Sequence, residues 1–183
     1  MRNWKIDNIL SLLKEAGALA LASWSSPQVE LKADQTVVTN ADRAIEQRFA
    51  EAFDRPAAGS FMIGEESVGT RTEEYLDEAL RGICHVVDPI DGTAPYSAHV
   101  PLWGISIGRM EKGVLTEGAI YMPVDDEALI TCRGTLFSAR ALQSGNPEVT
   151  PFQPRRMELS PAGHICIPQQ GAKLWRFDLP NQV

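Results

Sequence analysis

Apolar residues along this chain keep one rhythm before its middle and another after it. Ile6, Ile9, Leu10, Leu13, Ala16, Gly17 and Ala20 recur at three- and four-residue steps, which predicts an amphipathic helix over residues 6–22 with one face on a core. The stepping lapses over residues 23–36, where Ser25-Ser26-Pro27 and Lys32-Ala33-Asp34-Gln35 read as an exposed loop. Val37-Val38 is a short extended piece, and Thr39-Asn40-Ala41-Asp42 then opens a second helix whose apolar face is Ala44, Ile45, Phe49, Ala52 and Phe53. Thr39 is its N-cap, and on local grounds Asp42 reads as a first-turn acid that favours the helix terminus. A third helix, capped by Thr72, is predicted over residues 72–80.

The second rhythm is that of strands. Residues 61–63 and 84–87 are short apolar runs, and residues 104–110, 114–121, 128–132 and 135–139 follow as consecutive strands separated by turn residues such as Glu111-Lys112-Gly113 and Arg133-Gly134. Helices first and an antiparallel meander afterwards define an α+β chain, a layered sandwich with the N-terminal helices packed on the sheet. From Gln143 onward prolines interrupt every long pattern. The expected organisation is an α+β domain over residues 1–142, a linker over 143–156, and the start of an incomplete C-terminal subdomain over 157–183, with short strands at 157–159 and 164–167.

Two of the predicted strands run into acids. Residues 61–63 lead to Gly64-Glu65-Glu66-Ser67, and residues 84–87 to Asp88-Pro89-Ile90-Asp91-Gly92-Thr93. Pro89 and Gly92 are expected to stop the central strand, leaving Asp88 and Asp91 in the turn beyond it. Carboxylates held this close repel one another unless a cation lies between them, and Mg²⁺ is the ordinary partner of such hard oxygen ligands. Gly92 permits close approach of a ligand to the backbone, and a short helix over residues 94–98, with Pro95 in its first turn, would turn its N-terminus to an anion.

Composition narrows the remaining classes. At 183 residues and 44% hydrophobic, the chain can bury a sizeable core. A formal net charge of -7, with no Lys/Arg-rich run, argues against a nucleic-acid or membrane-surface binder. No apolar run reaches the length of a membrane span and the N-terminus lacks a signal-peptide core, so the expected location is cytoplasmic. Cys84, Cys132 and Cys166 lack metal or redox spacing and read as reduced packing residues, and the dispersed His85, His99 and His164 argue against a His-based metal site. His99, close behind the Asp-Gly-Thr turn, reads as a solvated or structural residue.

Three blocks in this order, Val38-Thr39-Asn40-Ala41-Asp42, Gly64-Glu65-Glu66-Ser67 and Asp88-Pro89-Ile90-Asp91-Gly92-Thr93, resemble the inositol monophosphatase-like phosphatases, and Gly118-Ala119-Ile120-Tyr121-Met122-Pro123 is also similar. The resemblance covers residues 1–142 and implies Mg²⁺-dependent hydrolysis of a small polyol, sugar or nucleotide phosphate. By that likeness Glu65, Asp88 and the Ile90 carbonyl would bind one Mg²⁺, and Asp88 would bridge to a second held by Asp91. Gly92 and Thr93 would receive the phosphate, while Asp42, Thr93 and Glu65 would orient or activate the attacking water. Glu65, Ile90, Asp91, Gly92 and Thr93 are thus the expected substrate contacts.

The chain departs from the family in two places. Ala94-Pro95-Tyr96 replaces the usual run after Asp-Gly-Thr and changes the mouth of the site. Family members are longer and supply a further aspartate from a Trp-Asp motif, whereas this chain ends at Asn181-Gln182-Val183, and Trp175-Arg176-Phe177-Asp178 lacks the form of that motif. The expectation is therefore a truncated C-terminal subdomain with weak or no turnover, and the alternative to an enzyme is a relative that keeps the fold as a metal-binding or interaction module. An exposed sheet edge and apolar face would favour a homodimer.

Overall fold

The computed structural model describes residues 4–32 and 36–153. Its elements follow in the order α1 (Ile6–Trp24), β1 (Val29–Leu31), β2 (Val37–Thr39), α2 (Asn40–Phe53), β3 (Ser60–Gly64), α3 (Glu73–Arg81), β4 (Ile83–Asp91), α4 (Thr93–Ser97), β5 (Gly104–Glu111), β6 (Val114–Met122), β7 (Glu127–Cys132), β8 (Thr135–Arg140) and β9 (Glu148–Pro151). The three longer helices and the meander lie where the periodicity predicts them. The strands predicted at 157–159 and 164–167, and Cys166, His164, Trp175 and Asp178, lie outside the described residues.

Seven strands form one sheet in the order β3-β4-β5-β6-β7-β8-β9. Every neighbouring pair is antiparallel except β3 and β4, which run parallel and are joined by α3, so the expected antiparallel sheet carries one parallel pair at its edge. A parallel pair needs a crossover, and α3 supplies it. It packs on the outer part of the sheet through Ala79, which clusters with Phe61 and Cys84, with Tyr75 against them. The Tyr75 hydroxyl accepts from Met62 N–H at 3.0 Å and donates to Asp54 Oδ1 at 2.7 Å, fastening β3 to the end of α2.

Helices α1 and α2 cover one sheet face. Across it the register sets Val87, Ile107, Ala119, Ile130 and Phe137 side by side, and the first four of these join Leu13, Ala16, Ile45 and Phe49 in a single buried cluster, with Phe137 packed against it. Each large apolar side chain buried this way stabilises the fold by about 1.5–3 kcal/mol relative to exposure. A Cβ on Gly17 would come within 2.4 Å of the Tyr121 ring, so the closeness of α1 to β6 depends on that glycine.

Two segments differ from expectation. Residues 23–36, expected as a loop, contain β1, which pairs antiparallel with β2 from Val29 opposite Thr39 to Leu31 opposite Val37. All three β1 residues are exposed, so the strand has no buried face and no alternation to reveal it. Within residues 143–156, expected as a linker, Glu148–Pro151 extends the sheet against β8. Proline is tolerated on an edge strand, where a missing N–H breaks no central ladder. Cys84 is buried, Cys132 half-buried, and both are free thiols.

Candidate active site

The expected turn at Asp88 is not a turn: β4 continues through Pro89 to Asp91. Asp88 pairs with Ser106 and Asp91 with Gly104, so three steps along β4 are matched by two along β5, the signature of a one-residue bulge. In a regular strand, side chains an odd number of residues apart point to opposite faces. The extra residue restores parity. Val87 and Ile90 both face the core, and Asp88 and Asp91 both face away from it, Asp88 half-buried and Asp91 exposed.

Beside this strand end lies the N-terminus of α2. The Thr39 side chain accepts from the Asp42 N–H, and Asp42 Oδ2 accepts from Thr39 N at 2.8 Å and Thr39 Oγ1 at 2.6 Å. This capping box satisfies two donors reciprocally. It also leaves the other oxygen, Asp42 Oδ1, buried and without a hydrogen-bond partner. Burial raises the Asp42 pKa, opposed by the Thr39 bonds, with the Glu66 charge adding to the rise. The local reading of Asp42 as a helix-terminus acid therefore accounts for one of its oxygens and not the other.

Asp88 has the same character. Its Oδ1 is buried without a partner, and burial, then the charges of Glu65 and Asp91, push its pKa up to about 7. A side-chain hydrogen bond to Glu65, in which the protonated Asp88 carboxyl donates, contributes to that rise. Glu65 itself follows β3, its N–H donating to Val87 O at 3.1 Å, which brings the second acidic block against the first. Lys32, from the segment expected as exposed loop, lies 2.7 Å from Glu66 and 3.8 Å from Glu65.

The remaining predicted residues surround this group. Thr93 Oγ1 donates to the Ile90 carbonyl at 3.0 Å. Gly92 has φ +99, and a Cβ there would meet Leu102 O at 2.7 Å. Tyr96, in the substituted run after Thr93, is buried and donates to Ala20 O at 2.7 Å, tying α4 to α1. His99 is exposed, with φ 58. A cleft of ≈ 460 Å³ beside α2 shares Lys32 and Glu66 with the acidic group and is also lined by Glu46, Ser67 and Arg71. Another, ≈ 450 Å³, lies by Arg48, Phe53 and Arg55 and shares no residue with it.

Among the described residues, no three His, Cys, Asp or Glu side chains already enclose a metal-sized space. The donor set nevertheless fits a hard divalent cation. Two buried carboxylate oxygens lack partners, the neighbouring acids repel one another, and the group contains oxygen donors and no imidazole or thiolate. Sequence reasoning missed Lys32 and Glu46. The only trace of Glu46 is an acid set among Ile45, Phe49 and Phe53 on the apolar side of α2.

Helices layered on a mostly antiparallel sheet, with a capped aspartate and two acidic strand ends brought together, define an α+β fold built around a carboxylate-rich site. The chain belongs to the inositol monophosphatase family, whose sequence model matches residues 5–165. It is 34% identical over 131 residues to an inositol-1-monophosphatase of Bacillus subtilis, covering 69% of this chain and 48% of that protein. It is also 34% identical over 107 residues to a histidinol-phosphatase of Mycobacterium tuberculosis, covering 58% of this chain and 38% of the relative. A solved IMPase/NADP phosphatase in complex with Mg²⁺ and phosphate shares the fold with a TM-score of 0.61 at 22% identity, over 72% of this chain and 49% of the other. The chain thus spans about half the length, or less, of the proteins it matches.

Proposed function

We propose that this chain carries the Mg²⁺- and phosphate-binding part of a phosphomonoester hydrolase acting on a small polyol, sugar or nucleotide phosphate. The observation that carries the reading is the pair of buried, unpartnered oxygens, Asp42 Oδ1 and Asp88 Oδ1, beside Glu65 and Asp91. Family membership and the Mg²⁺ and phosphate of the solved relative support it.

In this reading Glu65, Asp88, Asp91 and the Ile90 carbonyl would hold a divalent cation, which when bound would supply positive charge to phosphate oxygens and acidify water. Asp42, fixed through Oδ2, presents Oδ1 to accept a proton from the attacking water. The Gly92 and Thr93 backbone would orient the phosphate, and the Thr93 hydroxyl, whose single hydrogen is donated to Ile90 O, would join them on turning from that carbonyl. Burial of Asp42 and half-burial of Asp88 strengthen their share of these interactions relative to water.

Phosphate release by the full chain, measured with and without Mg²⁺ across inositol, sugar, histidinol and nucleotide monophosphates, tests the proposal. Mg²⁺-dependent release abolished by Asp88→Asn supports a hydrolase. Mg²⁺ binding without release by any ester supports the second reading, a metal-binding module. No Mg²⁺ binding and no release would overturn both.

A further inference from the structure

Glu46 has no assigned part in the site, yet it is only 6% exposed, which is unusual for a glutamate. It lies one helical turn beyond Asp42 on the same side of α2. Its Oε2 accepts from the Glu66 backbone N–H at 2.8 Å. Its carboxyl also packs on Gly64 so closely that a Cβ at Gly64 would lie 2.1 Å from Glu46 Cδ.

These contacts act where β3 ends. The parallel ladder's last register pair is Gly64 with Val87, and the Glu65 N–H still reaches Val87 O at 3.1 Å. The next amide, that of Glu66, has left the ladder and is held by Glu46 instead. From there the Glu66 carboxylate takes Lys32 at 2.7 Å, and Lys32 stands 3.8 Å from Glu65. A buried carboxylate near Asp42, Glu65 and Glu66 is a poor way to gain stability, because a neutral residue would avoid both desolvation and repulsion. Its geometry explains its presence better than its energy does.

We propose that Glu46 is a positioning residue for the acidic end of β3. Through the Glu66 amide and the Gly64 contact it fixes the Gly64-Glu65-Glu66 turn, so that Glu65 is directed to Asp88 and Glu66 to Lys32. The inference rests on the reading of Glu65 and Asp88 as a cation site.

The test compares full-length wild type, Glu46→Gln and Glu46→Ala by Mg²⁺ titration calorimetry and by amide hydrogen exchange at Glu66. Glu46→Gln keeps an acceptor for the Glu66 N–H and is expected to retain the wild-type Mg²⁺ affinity and Glu66 protection. Glu46→Ala is expected to weaken Mg²⁺ binding by about 10–100-fold, the usual effect of removing a group that orients a ligand, and to lose protection at Glu66. Should Glu46→Ala not fold, Glu46→Asp withdraws the acceptor by one methylene while keeping the charge, with the same expected losses. Unchanged Mg²⁺ affinity in the folded alanine or aspartate variant overturns the proposal, since a purely structural role lowers stability without changing the affinity of folded molecules. If wild type binds no Mg²⁺, the cation-site reading fails with the functional half of this inference, and exchange at Glu66 alone decides whether Glu46 fixes the turn.

Discussion

Thr39 and Asp42 hold each other from both sides: the threonine hydroxyl and amide donate to Asp42 Oδ2, and the Asp42 amide donates back to the threonine oxygen. One pair of residues thereby starts a helix and immobilises a carboxylate whose second oxygen is left for other work.

Thr39→Ala removes the cap and is expected to destabilise the chain by about 1 kcal/mol in denaturant titration. Because the same hydroxyl fixes Asp42, Mg²⁺-dependent phosphate release is expected to fall further than the loss of folded protein accounts for.

Asp88→Asn removes a half-buried charge that burial, Glu65 and Asp91 all oppose. The expected outcome is a variant more stable than wild type in EDTA at pH 8, where each 1 kcal/mol corresponds to about 2–4 °C in melting temperature for a chain of this size. Addition of Mg²⁺ is expected to raise the melting temperature of wild type and leave the variant unchanged. A wild type as stable in EDTA as Asp88→Asn would count against mutual repulsion in this group.

Gly92→Ala forces a side chain onto φ +99 and against Leu102 O. The backbone conformation alone costs about 1–3 kcal/mol, so a drop in denaturation midpoint with loss of phosphate release is expected. Gly59→Ala, also at positive φ but with open space around it, separates strain from collision and is expected to cost less.

His85 is buried, stacked 4.0 Å from the Phe53 ring, and burial lowers its pKa to about 4. The unfolded chain therefore binds a proton near pH 6.5 that the folded chain refuses until about pH 4. Stability is fully present above pH 6.5 and declines as pH falls through that window. His85→Phe, which preserves a ring in the stack, is expected to flatten this decline in urea midpoints measured between pH 7.5 and 4.5.

Much of this was legible because it is local. The capping pair lies within four residues, and Asp88-Pro89-Ile90-Asp91-Gly92-Thr93 carries its acids, glycine and hydroxyl in one run. Helix and strand periods located α1, α2 and the meander. What was hidden depends on tertiary placement. β1 buries nothing and so shows no alternation. Strand direction leaves no mark on a period of two, and the one signal that β3 runs parallel to β4 is the strand-helix-strand order of residues 61–87. Lys32 and Glu46 acquire their partners 34 and 20 residues away in sequence, beyond the reach of any local pattern. Pro89 reads locally as a stop, whereas a bulge lets the strand pass through it.

That bulge is not what puts the two acids on one face. Three steps along β4 match two along β5, and if Pro89 and the bulge were removed together, plain alternation over two steps would still set Asp88 and Asp91 on a common face with Ile90 toward the core. What the extra residue adds is backbone between the acids that takes no place in the β4–β5 register, and the Ile90 carbonyl that accepts from Thr93 belongs to it. A one-residue deletion there should therefore spare the facing of the carboxylates and remove the spare main-chain oxygen between them.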